Sequence, residues 1–532
     1  MLLNIPKFNS TFPRMNLKHL LILFLPLLLL LQIHGAFADD HERRSLGKWC
    51  SDVPHPESCT KSLPRHEMVD RPTFYGLSLE ASLTNAIAAR NHLRGFKKNL
   101  AKSDYQAWYG CENLYTNTVL QLNRTILFRK AIDSPYDYQT WLSAALTNLD
   151  VCGSRIFTSD VMLPDVKFFN GSLTKYNVSQ LISNCLAINE PNLITANQPT
   201  ALLREKEYRG RILATVKPDI IVAKDGSGKY STIGPAVRAG ARRARVDGRR
   251  LVIYVKKGVY NENINIPSSM RDVTLIGDGK GKTIITGRNS VKDGYTLITS
   301  ATLAVFGDGF VAMDLTIRNT YGLGSQALAL LLASDNSVIY RASLEGYQDT
   351  LCVFSQRQFY RECDIYGTVD FIFGNAAAVI QKCNIIARKP AKGGANVITA
   401  QGRTDPNQNT GIVIQFCNII SSPEFWPVHR TVSTYLGRPW KIYSRTVFLQ
   451  NYFSSIVHLK GYLEFRGTLG LDTLYYAEFR NTGPSSLGRF RVKWPGYHVI
   501  VRPSLVKQFT VNSFIAGGVW ITTTGVPFTG GF

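Results

Sequence analysis

The chain has 532 residues, too many for one ordinary hydrophobic core, so two domains are expected. With 45% hydrophobic and 19% charged residues its composition is globular and excludes a disordered chain. The formal net charge of +23 favours a polyanionic partner: nucleic acid, an anionic membrane or an acidic polysaccharide.

At the N-terminus Lys7, Arg14 and Lys18 precede an apolar run over 20–31, and Ala36-Phe37-Ala38 supplies small residues for cleavage. Residues 1–38 therefore read as a secretory signal peptide. The run holds 12 residues and contains Pro26, whereas a bilayer span needs about 20; an uncleaved anchor is the alternative. Export sets nucleic acid aside as a partner, moves a wall or matrix polyanion forward, and permits disulfides among nine cysteines. Sequons at Asn123, Asn170 and Asn177 fit a secreted glycoprotein.

Residues 39–200 carry a helical period. Leu142, Ala145, Leu146, Leu149 and Cys152 form one stripe, Val178, Leu181, Ile182 and Cys185 a second, and Leu79, Leu83, Ala86 and Ile87 a third. Several such stripes predict a helical bundle, each stripe facing its core. Pairing Cys50 with Cys59 and Cys111 with Cys152 would staple a hairpin and then two helices, although spacing alone does not fix connectivity. Residues 201–217 form a linker. Its basic cluster Arg209-Gly-Arg211-Ile-Leu213 is either a processing site for a subtilisin-like protease or a solvated charge run.

From residue 218 to 532 the helical stripe gives way to short β-branched runs broken by Gly, Asn and Asp. The runs repeat loosely, with Ile317, Leu344, Ile365, Ile385 and Ile419 at matching positions. Rungs of twenty-odd residues with variable loops predict a right-handed parallel β-helix, whose coils stack about 4.8 Å apart. In that register Cys363 and Cys383 are neighbours within disulfide reach and are expected to be bonded. Cys185, Cys352 and Cys417 remain unassigned.

The same register aligns two acids. Asp349 lies five residues beyond Leu344, and Asp370 five beyond Ile365, so both occupy one position on consecutive coils. Two carboxylates so placed cannot comfortably both ionise, which leaves a protonated acid beside a charged base or nucleophile. An aligned surface ladder of aspartates is the competing reading. Gln348 and Gln326 add amide donors on the same and the preceding coil. Asp370 sits in the apolar Val369-Asp-Phe-Ile-Phe-Gly374, a costly place for an idle charge. Arg438, in Leu436-Gly-Arg-Pro-Trp440, can hold Asp370 as a carboxylate, and Trp440 offers a face for a sugar ring. No Cys/His cluster has metal spacing, so no metal is expected.

The second half resembles the plant pectin methylesterase (pectinesterase) family. The resemblance is carried by Gly258-Val-Tyr-Asn-Glu262, Gln326-Ala-Leu-Ala-Leu330, Gly346-Tyr-Gln-Asp-Thr-Leu351, Ile365-Tyr-Gly-Thr-Val-Asp-Phe-Ile-Phe-Gly-Asn375, Ile398-Thr-Ala-Gln-Gly-Arg403, Leu436-Gly-Arg-Pro-Trp440 and Trp494-Pro-Gly-Tyr497. The first half resembles the pectin methylesterase inhibitor family through Cys50 and Cys59, Cys111-Glu-Asn-Leu-Tyr115, and Ser143-Ala-Ala-Leu-Thr-Asn148 leading to Cys152. Together they imply a four-helix inhibitor-like pro-domain ahead of an extracellular, wall-directed esterase that removes C6 methyl esters from pectin without a cofactor. Asp370 would be the nucleophile, Asp349 the proton donor, Gln348 and Gln326 the oxyanion donors, and Arg438 the group that orients Asp370. Thr296, Gln326, Arg438 and Trp440 would contact substrate. Partners so implied are pectin, the chain's own pro-domain or separate inhibitor proteins, and a processing protease, with the catalytic domain monomeric. Departures from the family pattern surround these residues: Cys352 and Phe354 for Tyr and His, Tyr462 and Phe465 for two tryptophans, Leu459 for a proline, Ala342 for a cysteine.

Overall fold

The computed structural model describes residues 43–64, 67–99, 105–131, 134–153, 172–189, 217–247 and 249–532. The signal stretch, Asn170 and the Arg209–Leu213 cluster lie outside them. Two short helices, α1 (Leu46–Ser51) and α2 (Pro56–Ser62), are joined by the Cys50–Cys59 disulfide. Four longer ones follow: α3 (Arg71–Gly95), α4 (Tyr105–Ala131), α5 (Pro135–Gly153) and α6 (Val178–Ile188). Asp70 caps α3 by accepting from the Thr73 amide at 2.8 Å, and Pro72 fits the first turn, where its missing N–H costs nothing. The helices pack in a ring, each on its chain neighbours and α6 back on α3. All nine residues of the two stripes on α5 and α6 are buried. On α3 Leu79 and Ala86 are buried, while Leu83 and Ile87 are half-buried. The Cys111–Cys152 disulfide ties α4 to the end of α5.

After α7 (Ile233–Asp247) the chain winds into coils of three parallel strands, which stack into sheets of 11, 8 and 7 strands. Ile317 pairs with Leu344, Leu344 with Ile365, Ile365 with Ile385 and Ile385 with Ile419 on the eight-stranded sheet. Each of these side chains is fully buried, a transfer worth about 1.5–3 kcal/mol apiece before entropy is charged. The sequence register is therefore the structural register.

Between the 11- and 8-stranded sheets seven successive coils each turn through one left-handed residue: Asp314, Arg341, Glu362, Lys382, Phe416, Gln450 and Arg480 all have φ between 48° and 56°. The residue after it points inward and stacks on its counterparts. This places Cys363, Cys383 and Cys417 in one column, but Cys363 and Cys383 are free thiols, which corrects the expected bridge. In-register parallel stacking keeps their Cα–Cβ bonds parallel at the coil spacing, whereas a disulfide needs the Cβ atoms drawn to about 3.8 Å. Each sulfur instead accepts a backbone N–H from the coil before it. Cys363 N donates to Cys383 Sγ and Cys383 N to Cys417 Sγ, both at 3.3 Å. Asn451 and Asn481 continue the ladder as acceptors at 2.8 and 2.9 Å. Cys185 is a buried free thiol in the bundle, 3.5 Å from the Ser82 hydroxyl. Alkylating the unfolded, unreduced protein is expected to mark five cysteines; mass spectrometry finding only three would restore a Cys363–Cys383 bond.

Candidate active site

The turns from the eight- to the seven-stranded sheet lie side by side on one edge of the solenoid, and they carry the acids. Asp349 precedes the strand Leu351–Ser355, Asp370 precedes Ile372–Gly374, and Leu351 pairs with Ile372. Both aspartates adopt the left-handed conformation, with φ of 63° and 50°. Asp tolerates that region better than most side chains, yet it carries strain that persists because neighbours fix it. Backbone bonds across coils do the fixing: Asp349 N donates to Val369 O at 3.0 Å and Thr368 N to Tyr347 O at 2.9 Å.

The two acids are equally hidden, at 7% and 8% exposure, but not equivalent. Arg438 clamps Asp370 with two bonds, Nε to Oδ1 at 2.8 Å and Nη2 to Oδ2 at 2.6 Å. Its guanidinium lies 4.6 Å from the Phe465 ring centroid, which fixes its plane from behind. The Asp349 carboxylate has no hydrogen-bond or ion-pair partner among the described residues. Burial first, then the charge of Asp370, drives the Asp349 pKa well above the carboxylate range. Burial also raises Asp370, but there the Arg438 bonds pull the other way. Both carboxyls are shifted upward, Asp349 the further of the two, so Asp349 is the better placed to hold a proton and Asp370, clamped by Arg438, to hold a charge.

The donors converge on the same edge. Ala327 N donates to Gln348 O at 3.3 Å, so Gln326 stands beside Gln348 on the adjoining coil. Both side chains are half-buried, and their amides make no hydrogen bond among the described residues. Thr296 is buried in a turn where its hydroxyl lies 2.9 Å from that of Thr299. Trp440 sits edge-on to Phe373 at 6.0 Å. It can lie that close to the sheet because position 402 is glycine: a Cβ there would fall 2.6 Å from the indole. Thr296, Gln326, Gln348, Asp349 and Asp370 thus lie in turns that enter the seven-stranded sheet, while Arg438 and Trp440 follow its strand Thr434–Gly437, and Arg438 reaches Asp370 from there. Residue spacing does not mark Phe465 as a partner of Arg438; an aromatic shortly beyond the Arg438 coil is the only hint the sequence carries.

The bundle lies against this edge. The outer face of the seven-stranded sheet, with Leu331, Cys352, Phe373 and Ala400, shares one apolar cluster with α4, α5 and α6, and Trp440 packs on it. A buried polar network pins the seam. Arg357 donates to Asp335 through Nε and Nη2 at 2.8 and 2.7 Å and through Nη1 to Asp137 of α5 at 2.6 Å. Arg124 of α4 reaches Asp308 at 2.9 Å and stacks on Trp141, whose indole N–H donates to Asp335 at 3.2 Å. Burial alone would raise Asp335, but Arg357 and Arg124 outweigh it and hold the carboxyl below its ordinary value.

Comparison with known proteins gives a consistent answer. Residues 219–518 match the pectinesterase family and residues 44–188 the plant invertase/pectin methylesterase inhibitor family. The chain is 46% identical to the probable pectinesterase/pectinesterase inhibitor 59 of Arabidopsis thaliana, over 97% of this chain and 99% of that one. It is 48% identical to pectinesterase 2 of Citrus sinensis, over 91% of this chain and 94% of that one. Among solved structures, a pectin methylesterase from carrot shares 48% identity at a TM-score of 0.59, covering 60% of this chain and 99% of its own.

A carboxyl whose folded pKa lies above its unfolded value adds stability only while protonated. That contribution is full below the ordinary carboxylate value of about 4 and is lost as pH rises through the raised one. The melting temperature of Asp349→Asn minus that of the parent is therefore expected to grow as the pH rises above about 4. A gap that stays constant or shrinks would mean that Asp349 is ionised in the fold.

Proposed function

The chain belongs to the pectinesterase family, and from that premise we propose that it hydrolyses the C6 methyl esters of galacturonate units in pectin, releasing methanol and pectate. The observation that carries the assignment of roles is the asymmetry of the stacked pair: one aspartate clamped by an arginine, the other buried without a partner. Asp370, kept charged by Arg438, attacks the C6 carbonyl carbon. Gln326 and Gln348, on adjoining coils, donate to the oxygen that becomes negative and so stabilise the tetrahedral adduct. As it collapses, Asp349 gives its proton to the methoxy oxygen and methanol departs, leaving an acyl-enzyme on Asp370. Asp349, now ionised, takes a proton from water as that water attacks the acyl carbon. Galacturonate leaves, Asp370 regains its charge and Asp349 its proton. Trp440 and Thr296 position the sugar; no cofactor enters.

The inhibitor-like bundle is the regulatory pro-region. Trp440, the proposed sugar platform, packs on the apolar cluster shared with the bundle, so substrate and bundle compete for the same ground. Removal near Arg211 by a protease would free the groove. Export and a wall location follow from the signal-like N-terminus, and the two disulfides suit an oxidising compartment. Asn123 and Asn177 are half-buried, Asn123 on α4 and Asn177 just before α6, and are the candidate glycan sites within the described residues.

Methanol release from pectin is expected to fall at least about 10³-fold in Asp370→Ala and about 10²–10³-fold in Gln348→Ala; wild-type turnover by Asp370→Ala would overturn the mechanism. Loosening the seam with Arg124→Ala is expected to raise methanol release by the full chain several-fold. No change, with the bundle still folded, would assign the bundle a folding or targeting role instead.

A further inference from the structure

A cavity of about 250 Å³ lies at the seam between α4 and the first coils of the seven-stranded sheet, and neither domain forms it alone. Its bundle wall includes Tyr109, Asn113 and Asn117, which stand at successive i, i+4 positions and so share one face of α4. Its β-helix wall includes Asn265, Thr299 and Phe306. No residue lining it carries a charge. The amides of Asn113, Asn117 and Asn265 make no hydrogen bond among the described residues, so each offers a donor and an acceptor to an occupant. Tyr109 and Phe306 supply the apolar surface that the faces of a sugar ring require. The volume lies just below that of ordinary small-ligand pockets, roughly 300–1,000 Å³, and suits about one ring.

Thr299 connects this cavity to the catalytic groove. Its amide donates to Thr296 Oγ1 at 3.1 Å and its hydroxyl lies 2.9 Å from the same atom, so the cavity backs on the turn that carries the proposed substrate contact. In a protein of net charge +23, a cavity whose lining carries no cation offers a carboxylate no counter-charge for whatever hydration it gives up against the walls, although Tyr109 and Asn265 at its mouth are exposed. A methyl ester meets no such penalty. We infer that the seam cavity binds a neutral, methyl-esterified galacturonate unit and excludes the free acid, and that its occupancy holds the bundle docked. The identity of the sugar rests on the esterase reading above; the preference for an uncharged ligand rests on the lining. Because the ligand touches both walls, whatever it gains on binding is lost when the domains part, and substrate-rich surroundings retain the pro-region while product does not.

The test uses the full chain carrying Asp370→Asn, so that no turnover occurs. Titration with fully methyl-esterified trigalacturonate and with the fully de-esterified form is expected to favour the ester by at least about tenfold. Asn117→Leu and Asn265→Leu, with circular dichroism unchanged, are each expected to weaken the ester about tenfold. Asn117→Lys is expected to bring in the free acid, a gain that damage to the fold would not produce. The ester, and not the acid, is expected to slow proteolytic release of the bundle. Absence of binding, equal affinity for both forms, or binding indifferent to both leucine variants overturns the inference. Methanol release by the full chain without Asp370→Asn reports separately on the esterase reading: methanol with no seam binding sinks only the cavity proposal.

Discussion

The constraint on which the molecule depends is the in-register stacking of parallel coils. Once backbone hydrogen bonds fix each coil about 4.8 Å above the last, any position repeated in the sequence becomes a column in space. One column is the aliphatic ladder from Ile317 to Ile419. A second is the ladder of Cys363, Cys383, Cys417, Asn451 and Asn481, in which side-chain sulfur and amide oxygen accept backbone N–H groups that the turns would otherwise leave unpaired. A third is the Asp349–Asp370 pair. The same rule that builds the core builds the site.

Stacking alone would make that pair symmetric, and a symmetric pair has no division of labour. Arg438 breaks the symmetry. It reaches Asp370 from a later coil, with its plane supported by Phe465, and leaves Asp349 as a carboxyl whose pKa burial pushes well up. A lone carboxylate as buried as Asp370 would cost several kcal/mol, and the two charge-assisted bonds offset that penalty. Holding both acids in the left-handed region is a further expense met by the backbone bonds between coils. The asymmetry of the pair thus follows from one contact laid over a repetitive scaffold.

The seam extends the same logic to regulation. The seven-stranded sheet presents an apolar outer face that one edge of a solenoid cannot bury by itself, and the bundle covers it. Apolar area gives the docking its strength, while the Asp335–Arg357–Arg124 network gives it one orientation, because a shift would leave buried charges unpaired.

Periodicity in the sequence determined the two fold classes, the register of the coils, the alignment of Asp349 with Asp370, and the helical stripes of the bundle. These are local repeats, and stacking converts a local repeat directly into a spatial neighbour. Tertiary structure alone decided the rest. Whether Cys363 and Cys383 bond depends on the direction of their side chains, which residue spacing does not encode. Phe465 behind Arg438, the glycine at 402 that admits Trp440, and the pairing of Arg124 and Arg357 with Asp335 each join residues from unrelated parts of the chain. The pairing of the bundle with that face, and the cavity between them, exist only where the bundle meets the solenoid. No single stretch of sequence holds both walls.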